Sequence, residues 1–202
     1  IRCGLSEKTI NNVAKKNNYY DFLIPVFSCQ LAQDCELHKK KLTGKKFLEI
    51  GCGWGGFSEY VGKRYDVLVD CITISKQQYD FAKKRIFEAG LNNKVNVMIL
   101  DYRDLKDKYN SIASIEMIEA VGEKYLDQYF RTIKNSLKNG GHVAIQGITI
   151  KNELFNRYRT SEDFIQKYIF PGGFLPSIDQ IKRLAKQNHL NLEHIHSYSQ
   201  DY

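Results

Sequence analysis

A short glycine-rich segment limits the fold of this 202-residue chain more than any other feature. The segment reads EIGCGWGG from Glu49 to Gly56. It overlaps the end of a short apolar stretch at Lys46–Ile50 and precedes apolar residues at helical spacing. Glycine adopts positive φ angles and allows the backbone to approach a ligand closely. A helix that begins here also offers free N–H groups to an anion. The segment therefore predicts a strand, a tight turn and a helix around a small anionic group.

Strand and helix signals alternate over residues 44–150. After a β-rich stretch at 65–74, Ser75 begins a helix, and Gln78 three residues later completes the pattern of a capping box. Further elements are predicted as strands at Val95–Leu100, Ser111–Glu116 and, after a turn at 139–141, His142–Ile150, and as a helix at Leu126–Leu137. The alternation predicts an α/β fold whose parallel sheet carries helices on both faces. Such sheets bind ligands beyond the carboxyl ends of their strands.

The kind of ligand follows from two details beside the glycines. Gly51, Gly53 and Gly56 fit the pattern G-x-G-x-x-G, which alone is a weak signal for a dinucleotide site. However, Glu49 lies two residues before the first glycine, where methyltransferases carry an acid that faces the cationic end of S-adenosylmethionine. The second strand ends in Asp70-Cys71-Ile72-Thr73, without an acidic terminus for a nicotinamide ribose. We therefore expect S-adenosylmethionine, with a nicotinamide cofactor and an empty tight turn as alternatives.

The remaining sequence predicts a class I methyltransferase domain that lacks its last strand as given. Thr160 with Asp163 and Ser177 with Gln180 indicate two helix starts, and residues 191–199 read as a sixth strand. No sequence follows Tyr202 for the seventh, antiparallel strand of that fold. We expect a lid segment at the mouth of the site over residues 1–43 and the methyltransferase domain over 44–202, with a small helical cap at 151–177.

Composition narrows the functional classes. The net charge of +7 attracts nucleic acid or anionic lipid headgroups, although a solvated basic surface explains it equally well. No base-flipping signature of the N/D-P-P-Y/F kind is present, so we expect no nucleic-acid partner. No apolar run of about 18 residues and no leader-like stretch at the start occur. Five cysteines without metal-type spacing indicate reduced thiols, a cytoplasmic location and no metal.

Five longer strings carry a family resemblance. FLEIGCGWGGFSEY, ITISKQQ, DYRDL, EMIEAVG and YIFPGGFLPS occur in this order. Over residues 19–202 the chain resembles the cyclopropane-fatty-acyl-phospholipid synthase and mycolic acid cyclopropane synthase family. Many methyltransferases share the glycine turn, whereas its combination with EMIEAVG and YIFPGGFLPS is far more specific.

The resemblance implies a set of cofactor-binding residues. The segment from Phe47 to Gly55 would enclose the methionine end, and an N-terminal segment at 27–29 would close over the cofactor. Thr73 and Gln78 would lie at the ribose, and Asp101 and Tyr102 at the adenine. The other implied residues are Phe27, Ser28, Glu49, Gly51, Cys52, Gly53, Trp54 and Gly55. Two alternatives stay open, because Gln78 also fits a helix cap and Tyr102 also fits a half-buried packing aromatic.

The chemistry that the resemblance implies needs a base. An alkene is a poor nucleophile, so it must be held in line with the sulfonium methyl group in a dry slot. Aromatic faces stabilise the carbocation that follows, and a base then removes a proton so that the ring closes. In the family that base is a bound bicarbonate, and the residues that match its cage are Cys29, Glu119, Gln146, Ile148 and Tyr202.

Three residues of this cage also fit other structural roles, and one differs from the family residue. Glu119 also fits an acid at a helix N-terminus, Tyr202 a core aromatic and Cys29 a small buried hydrophobe. Gln146 occupies the position at which the best-known member of the family has histidine. Unlike histidine, glutamine cannot bind a proton and become charged. The family's C-terminal portion, which helps to form the wall of the acyl channel, is absent from this sequence.

The predicted function is methylene transfer from S-adenosylmethionine to unsaturated phospholipid acyl chains, which forms cyclopropane fatty acids. The excess of Lys and Arg and an exposed loop at 170–174 would dock the enzyme on the anionic inner face of a membrane as a peripheral protein. The resemblance leaves room for a homodimer. The alternatives are a small-molecule N-methyltransferase of the same superfamily and a non-catalytic remnant that binds the cofactor or lipid.

Overall fold

The structure is a computed structural model that describes residues 44–160 and 172–197. Five strands and six α-helices follow one another along this part of the chain. They are β1 Lys46–Ile50, α1 Gly56–Arg64, β2 Leu68–Thr73, α2 Lys76–Glu88, β3 Val95–Ile99, β4 Tyr109–Ile115, α3 Ile118–Val121, α4 Leu126–Ser136, β5 Leu137–Gln146, α5 Asn152–Thr160 and α6 Ile178–Gln187. Short 3-10 helices lie at Tyr102–Asp104 and Glu123–Tyr125. The described residues form two compact units, of which the first holds 44–115 and 136–146 and the second holds 116–135, 147–160 and 172–197.

The first unit is built on a five-stranded parallel sheet in the order β3-β2-β1-β4-β5. The first three strands run outward from β1 to one edge, and the chain then returns to place β4 on the other side of β1. This reversal is the switch point at which parallel sheets bind ligands, beyond the carboxyl ends of the strands. The predicted class I methyltransferase sheet is therefore confirmed.

Apolar residues of α1 and α2 cover one face of this sheet. Val61 of α1, and Ala82 and Ile86 of α2, are buried against Val69 and Cys71 of β2 in one core cluster. Their positions follow the helical periodicity of the sequence, so this packing fixes both helices at the end of the sheet that carries the glycine turn.

Both predicted serine caps are present. Ser75 accepts a hydrogen bond from the Gln78 N–H at the start of α2, and Ser177 accepts one from the Gln180 N–H at the start of α6. The helix start predicted from Thr160 and Asp163 lies largely outside the described residues, but Thr160 itself ends α5, and its hydroxyl donates to the carbonyls of Asn156 and Arg157 at 3.1 Å. A threonine hydroxyl can bond back to the preceding turn as well as cap a following one, which the sequence does not distinguish.

The predicted bounds of the last strands also need correction. Strand β5 ends at Gln146 rather than Ile150, and the glycines at 140 and 141 lie within it instead of forming a separate turn. From Tyr109 to Ser111 on β4, the pairing advances from Leu137 to His142 on β5, so the extra residues form a bulge. Residues 191–197 form no strand, which contradicts the expected sixth strand over its described part.

The second unit contains α3, α5, α6 and nearly all of α4. A single parallel bridge joins Ile150 and Ser177, and the Ile150 N–H donates to the Pro176 carbonyl at 3.1 Å. Phe174 is buried beside Phe155 and Tyr158, with ring centroids 5.8 and 5.7 Å apart. Over the described ranges, no helix has both the length and the apolar character that a membrane span requires.

Candidate functional site

The glycine turn leaves the carboxyl end of β1 and is tied to the neighbouring strand. The N–H groups of Gly51 and Cys52 both donate to the Ile72 carbonyl of β2, at 3.0 and 2.9 Å. The Gly55 N–H donates to the Cys52 carbonyl at 2.9 Å, which closes the turn before α1 begins. Within the described residues, the N–H groups of Gly53 and Trp54 donate to no backbone carbonyl. The turn is thus held in place while two donors at its tip stay available.

Two glycines of the turn have different roles. Gly53 has a φ of +50°, and a Cβ built there meets nothing within 4 Å, so its outer face is open. Gly55 has a φ of +78°, and its Cβ would lie 2.9 Å from the Cβ of Ala82 on α2. Contacts of this length do not occur between real side chains, so Gly55 serves the packing of α1 on α2. Of these two predicted cofactor contacts, Gly53 is the one whose absent side chain leaves room for a ligand.

Glu49 lies buried beneath this turn. Only 3% of the residue is exposed, and the Ser58 hydroxyl donates to its Oε2. Burial raises the pKa of this carboxyl to about 7, although the hydrogen bonds from Ser58 act in the opposite direction. Nothing in the sequence pattern singled out Ser58, since its position on α1 reveals its partner only once the helix is folded. A group of this pKa becomes fully ionised when a cation approaches it.

Thr73 and Gln78 meet at the end of β2. The Thr73 hydroxyl donates to the Gln78 Oε1 at 2.7 Å and accepts the Ser75 N–H at 3.1 Å. The capping box is therefore only half formed, because Thr73 takes the bond that the Gln78 side chain would make with Ser75. Among the described residues, no group accepts a hydrogen bond from the Gln78 Nε2. The pair predicted at the ribose is thus in contact, with an amide donor to spare.

Asp101 and Tyr102 follow β3 at the same edge of the sheet. Asp101 caps the 3-10 helix at Tyr102–Asp104, and its carboxylate is bound by the side chain of Arg103. These hydrogen bonds hold the pKa of Asp101 below its ordinary value. Arg103 was not among the predicted site residues, although the spacing Asp-x-Arg is a local signal of such a turn.

Glu119 is the main polar residue of the second unit. It lies in α3, is 7% exposed, and accepts the Ile148 N–H at its Oε1. Its Oε2 is buried without a hydrogen-bond partner among the described residues. Burial raises the pKa of Glu119, and the nearby Glu116 carboxylate adds to this shift. A buried carboxylate oxygen in this state can accept a hydrogen bond from a water molecule, an ion or a ligand.

The backbone around Glu119 is closely fitted. A Cβ on Gly147 would lie 2.4 Å from the Ile118 Cγ2 and 3.1 Å from the Glu119 Oε1, and the Phe174 N–H donates to the Glu119 carbonyl at 2.8 Å. Glu116, at the exit of β4, has a φ of +48°, which is uncommon for a residue with a side chain. Both features favour a fixed position for the Glu119 carboxylate.

The structure brings two residues of the predicted base cage into contact. Glu119 and Ile148 are in contact, and Gln146 is the half-buried last residue of β5. Four predicted residues, Phe27, Ser28, Cys29 and Tyr202, lie outside the described residues.

The loop predicted to dock on membranes needs a correction. Phe174 is buried rather than exposed, because it packs on Phe155 and Tyr158. Residues 170 and 171 lie outside the described ranges. Phe174 therefore supports the second unit from inside and offers no side chain to a bilayer.

A family model described as mycolic acid cyclopropane synthetase matches residues 28–202. Cyclopropane-fatty-acyl-phospholipid synthase of Escherichia coli strain K12 is 38% identical over 173 residues, which cover 86% of this chain and 43% of that protein. Tuberculostearic acid methyltransferase of Mycobacterium tuberculosis strain H37Rv is 39% identical over 145 residues, 72% of this chain and 34% of that one. The chain thus spans less than half the length of these curated relatives.

Solved structures share the fold. A mycolic acid cyclopropane synthase complexed with SAH and CTAB superposes with a TM-score of 0.77 at 24% identity, over 91% of this chain and 66% of that chain. A phosphoethanolamine N-methyltransferase from Haemonchus contortus superposes with a TM-score of 0.68 at 20% identity, over 93% of this chain and 43% of that chain. Because both identities are low, these likenesses bear on the architecture alone.

Proposed function

Because the chain belongs to the mycolic acid cyclopropane synthetase family, we propose that it forms cyclopropane rings on unsaturated phospholipid acyl chains, with S-adenosylmethionine as the methyl donor and bicarbonate as the base. The observation that carries this proposal is the buried Oε2 of Glu119, which has no partner among the described residues. The hydroxyl group of a bicarbonate ion is a donor that suits it. A small-molecule N-methyltransferase needs no bicarbonate cage.

The residues of the first unit fit the cofactor. The open face of Gly53 and the N–H groups at the tip of the turn suit the methionine carboxylate, since anions bind at the start of a helix. Glu49 supplies a negative charge below the turn for the cationic end. Thr73 and Gln78 would hold the ribose hydroxyls, and Asp101 would accept the adenine amino group. When bound, S-adenosylmethionine supplies an electrophilic methyl group.

The protein has two tasks in the reaction. Attack of the alkene on the methyl group would form one C–C bond, break the bond from sulfur to that methyl, release S-adenosylhomocysteine and leave a carbocation, so the site must exclude water until the ring has closed. Loss of one proton from the new methyl group then allows the second C–C bond to form. Glu119, with the backbone of Ile148, would hold the bicarbonate that takes this proton, and Gln146 is assigned to this role by the family resemblance alone. The net change is the gain of one CH2 and the loss of one double bond.

The choice of a phospholipid substrate rests on the name of the E. coli relative and on the charge of this chain. A net charge of +7 favours an anionic bilayer surface, where a peripheral enzyme would take its substrate from the inner leaflet. The proposed dimer and the roles of Cys29 and Tyr202 stay predictions.

Mass spectrometry of lipids from cells that express the protein tests the proposal. We expect acyl chains that have gained one CH2 and lost one double bond, compared with cells that carry an inactive Gly53→Val variant. Methylated amines with unchanged acyl chains would favour an N-methyltransferase instead. Cofactor binding without any methylated product would indicate a non-catalytic binding protein.

A further inference from the structure

The turn after β3 contains a carboxylate whose hydrogen bonds are almost fully used by one neighbour. The Asp101 Oδ1 accepts both the backbone N–H and the Nε–H of Arg103, each at 2.9 Å. The Oδ2 accepts the Nη2–H of the same arginine at 2.5 Å. A guanidinium group bound in this way through two parallel hydrogen bonds fixes the plane of the carboxylate as well as its charge.

The number of remaining acceptor positions follows from this geometry. Each carboxylate oxygen has two lone pairs, so Oδ1 is filled by Arg103 while Oδ2 keeps one position. The side chain of Asp101 is only 24% exposed, so the free position is partly shielded from solvent. One fixed acceptor suits a ligand group that donates one N–H, and it repels a carbonyl oxygen in the same place.

We propose that Arg103 is a positioning residue that makes the site specific for a 6-aminopurine, because it turns Asp101 into a fixed acceptor with one free position. This inference rests on the proposed function, in which Asp101 meets the adenine of the cofactor. Hypoxanthine has a carbonyl oxygen where adenine has its amino group. The site therefore distinguishes these two bases through Arg103, although Arg103 contacts neither of them.

Arginine suits this role better than lysine does. The guanidinium fork holds both carboxylate oxygens in one plane, whereas an ammonium group supplies a point charge that binds either oxygen. Asp101 is ionised near neutral pH beside either cation, but only the fork fixes the direction of the free acceptor position. Charge and geometry can therefore be separated by substitution.

The test measures binding of S-adenosylhomocysteine and S-inosylhomocysteine by calorimetry, without any turnover. For the native chain we expect the adenosyl compound to bind at least about tenfold more tightly, as the loss of a hydrogen bond to a charged group predicts. In Arg103→Met the two affinities should differ by less than about threefold. In Arg103→Lys the discrimination should also fall, while the adenosyl compound keeps more of its affinity than in Arg103→Met.

Arg131→Met is the matched control, because Arg131 forms an exposed ion pair with Asp127 that has no assigned role in the site. Its discrimination should equal that of the native chain. Thermal unfolding confirms that each variant is folded. Native discrimination in Arg103→Met, or no discrimination in the native chain, would overturn the inference and leave the proposed function standing. If the native chain binds neither compound, the proposed cofactor site itself is wrong.

Discussion

The glycine turn of the first unit and the Glu119 segment of the second unit satisfy their polar groups in opposite ways. Around the turn, Glu49 is bound by Ser58, and Thr73 is bound to Gln78. In the second unit, Glu119 has a partner at one oxygen and none at the other among the described residues. In the proposed function, the protein itself holds Glu49 and Thr73 in place for the cofactor, whereas a bound ion would complete the hydrogen bonding of Glu119.

The largest expected effect separates two glycines of the turn. Gly53→Val should abolish cofactor binding, because the side chain enters the open face of the turn, while the strained φ costs about 1–3 kcal/mol of stability. Gly55→Val should instead disrupt folding, because its side chain collides with Ala82. Calorimetry with S-adenosylhomocysteine and denaturant unfolding measure the two effects.

Unchanged binding in a folded Gly53→Val variant would contradict the assignment of the cofactor site. Equal losses of stability in both variants would remove the distinction between a ligand-facing and a packing glycine.

The next effect concerns the pH dependence that Glu49 imparts. Its folded pKa of about 7 lies above the ordinary value of 4.5, so the native state binds more protons than the unfolded state between these values. Native stability should therefore fall as pH rises from about 4.5 to 7, by roughly 2–3 kcal/mol. Glu49→Gln should remove this fall, because the amide does not titrate.

Urea unfolding of the native chain and Glu49→Gln at several pH values measures this difference. The control is Glu59→Gln, whose carboxylate is more exposed and bound by Lys63 and Arg85. Parallel stability curves for the native chain and Glu49→Gln would show that burial does not control this carboxyl group.

A substitution of Glu119 should have a smaller effect, and this effect should appear in the reaction rate rather than in cofactor binding. Glu119→Gln keeps the shape of the side chain but removes the charged acceptor for the bicarbonate hydroxyl. We expect a loss of about ten- to a hundredfold in cyclopropanation rate, equivalent to roughly 1.5–3 kcal/mol. Affinity for S-adenosylhomocysteine should change by less than about twofold. Equal losses in rate and in affinity would show that the two regions are not separate in function.

The smallest effect is expected at the end of β5. Gln146→His introduces the residue that the best-known member of the family has at this position, and Gln146 is half-buried at the end of β5. Its cyclopropanation rate should stay within about threefold of the native rate. A loss comparable to that of Glu119→Gln would mean that Gln146 makes a contact specific to glutamine.

Local chemistry made much of the fold predictable. The glycine turn, the alternation of strands with helices and the caps at Ser75 and Ser177 each depend on residues close together in the sequence. Thr160 shows the limit of such signals, because a hydroxyl can cap a following helix or bond back to a preceding turn. The bulge in β5 was missed, since pairing with β4 determines it.

The misses at the site have the same physical origin. Ser58 reaches Glu49 only because α1 folds back over β1, and no local pattern announces that contact. Phe174 was expected to be exposed as part of the loop at 170–174, but its burial depends on Phe155 and Tyr158 of a separate helix. The orphan oxygen of Glu119 likewise follows from where the Ile148 backbone lies.

The most direct test of the account is the bicarbonate dependence of ring formation. Cyclopropanation of phospholipid vesicles would be measured in bicarbonate-depleted buffer and again after bicarbonate is restored, for the native protein and for Glu119→Gln. The account predicts that depletion lowers the native rate, that bicarbonate restores it, and that Glu119→Gln stays slow and responds weakly. A native rate that does not change on depletion, or a Glu119→Gln variant with native rate and native response, would contradict it.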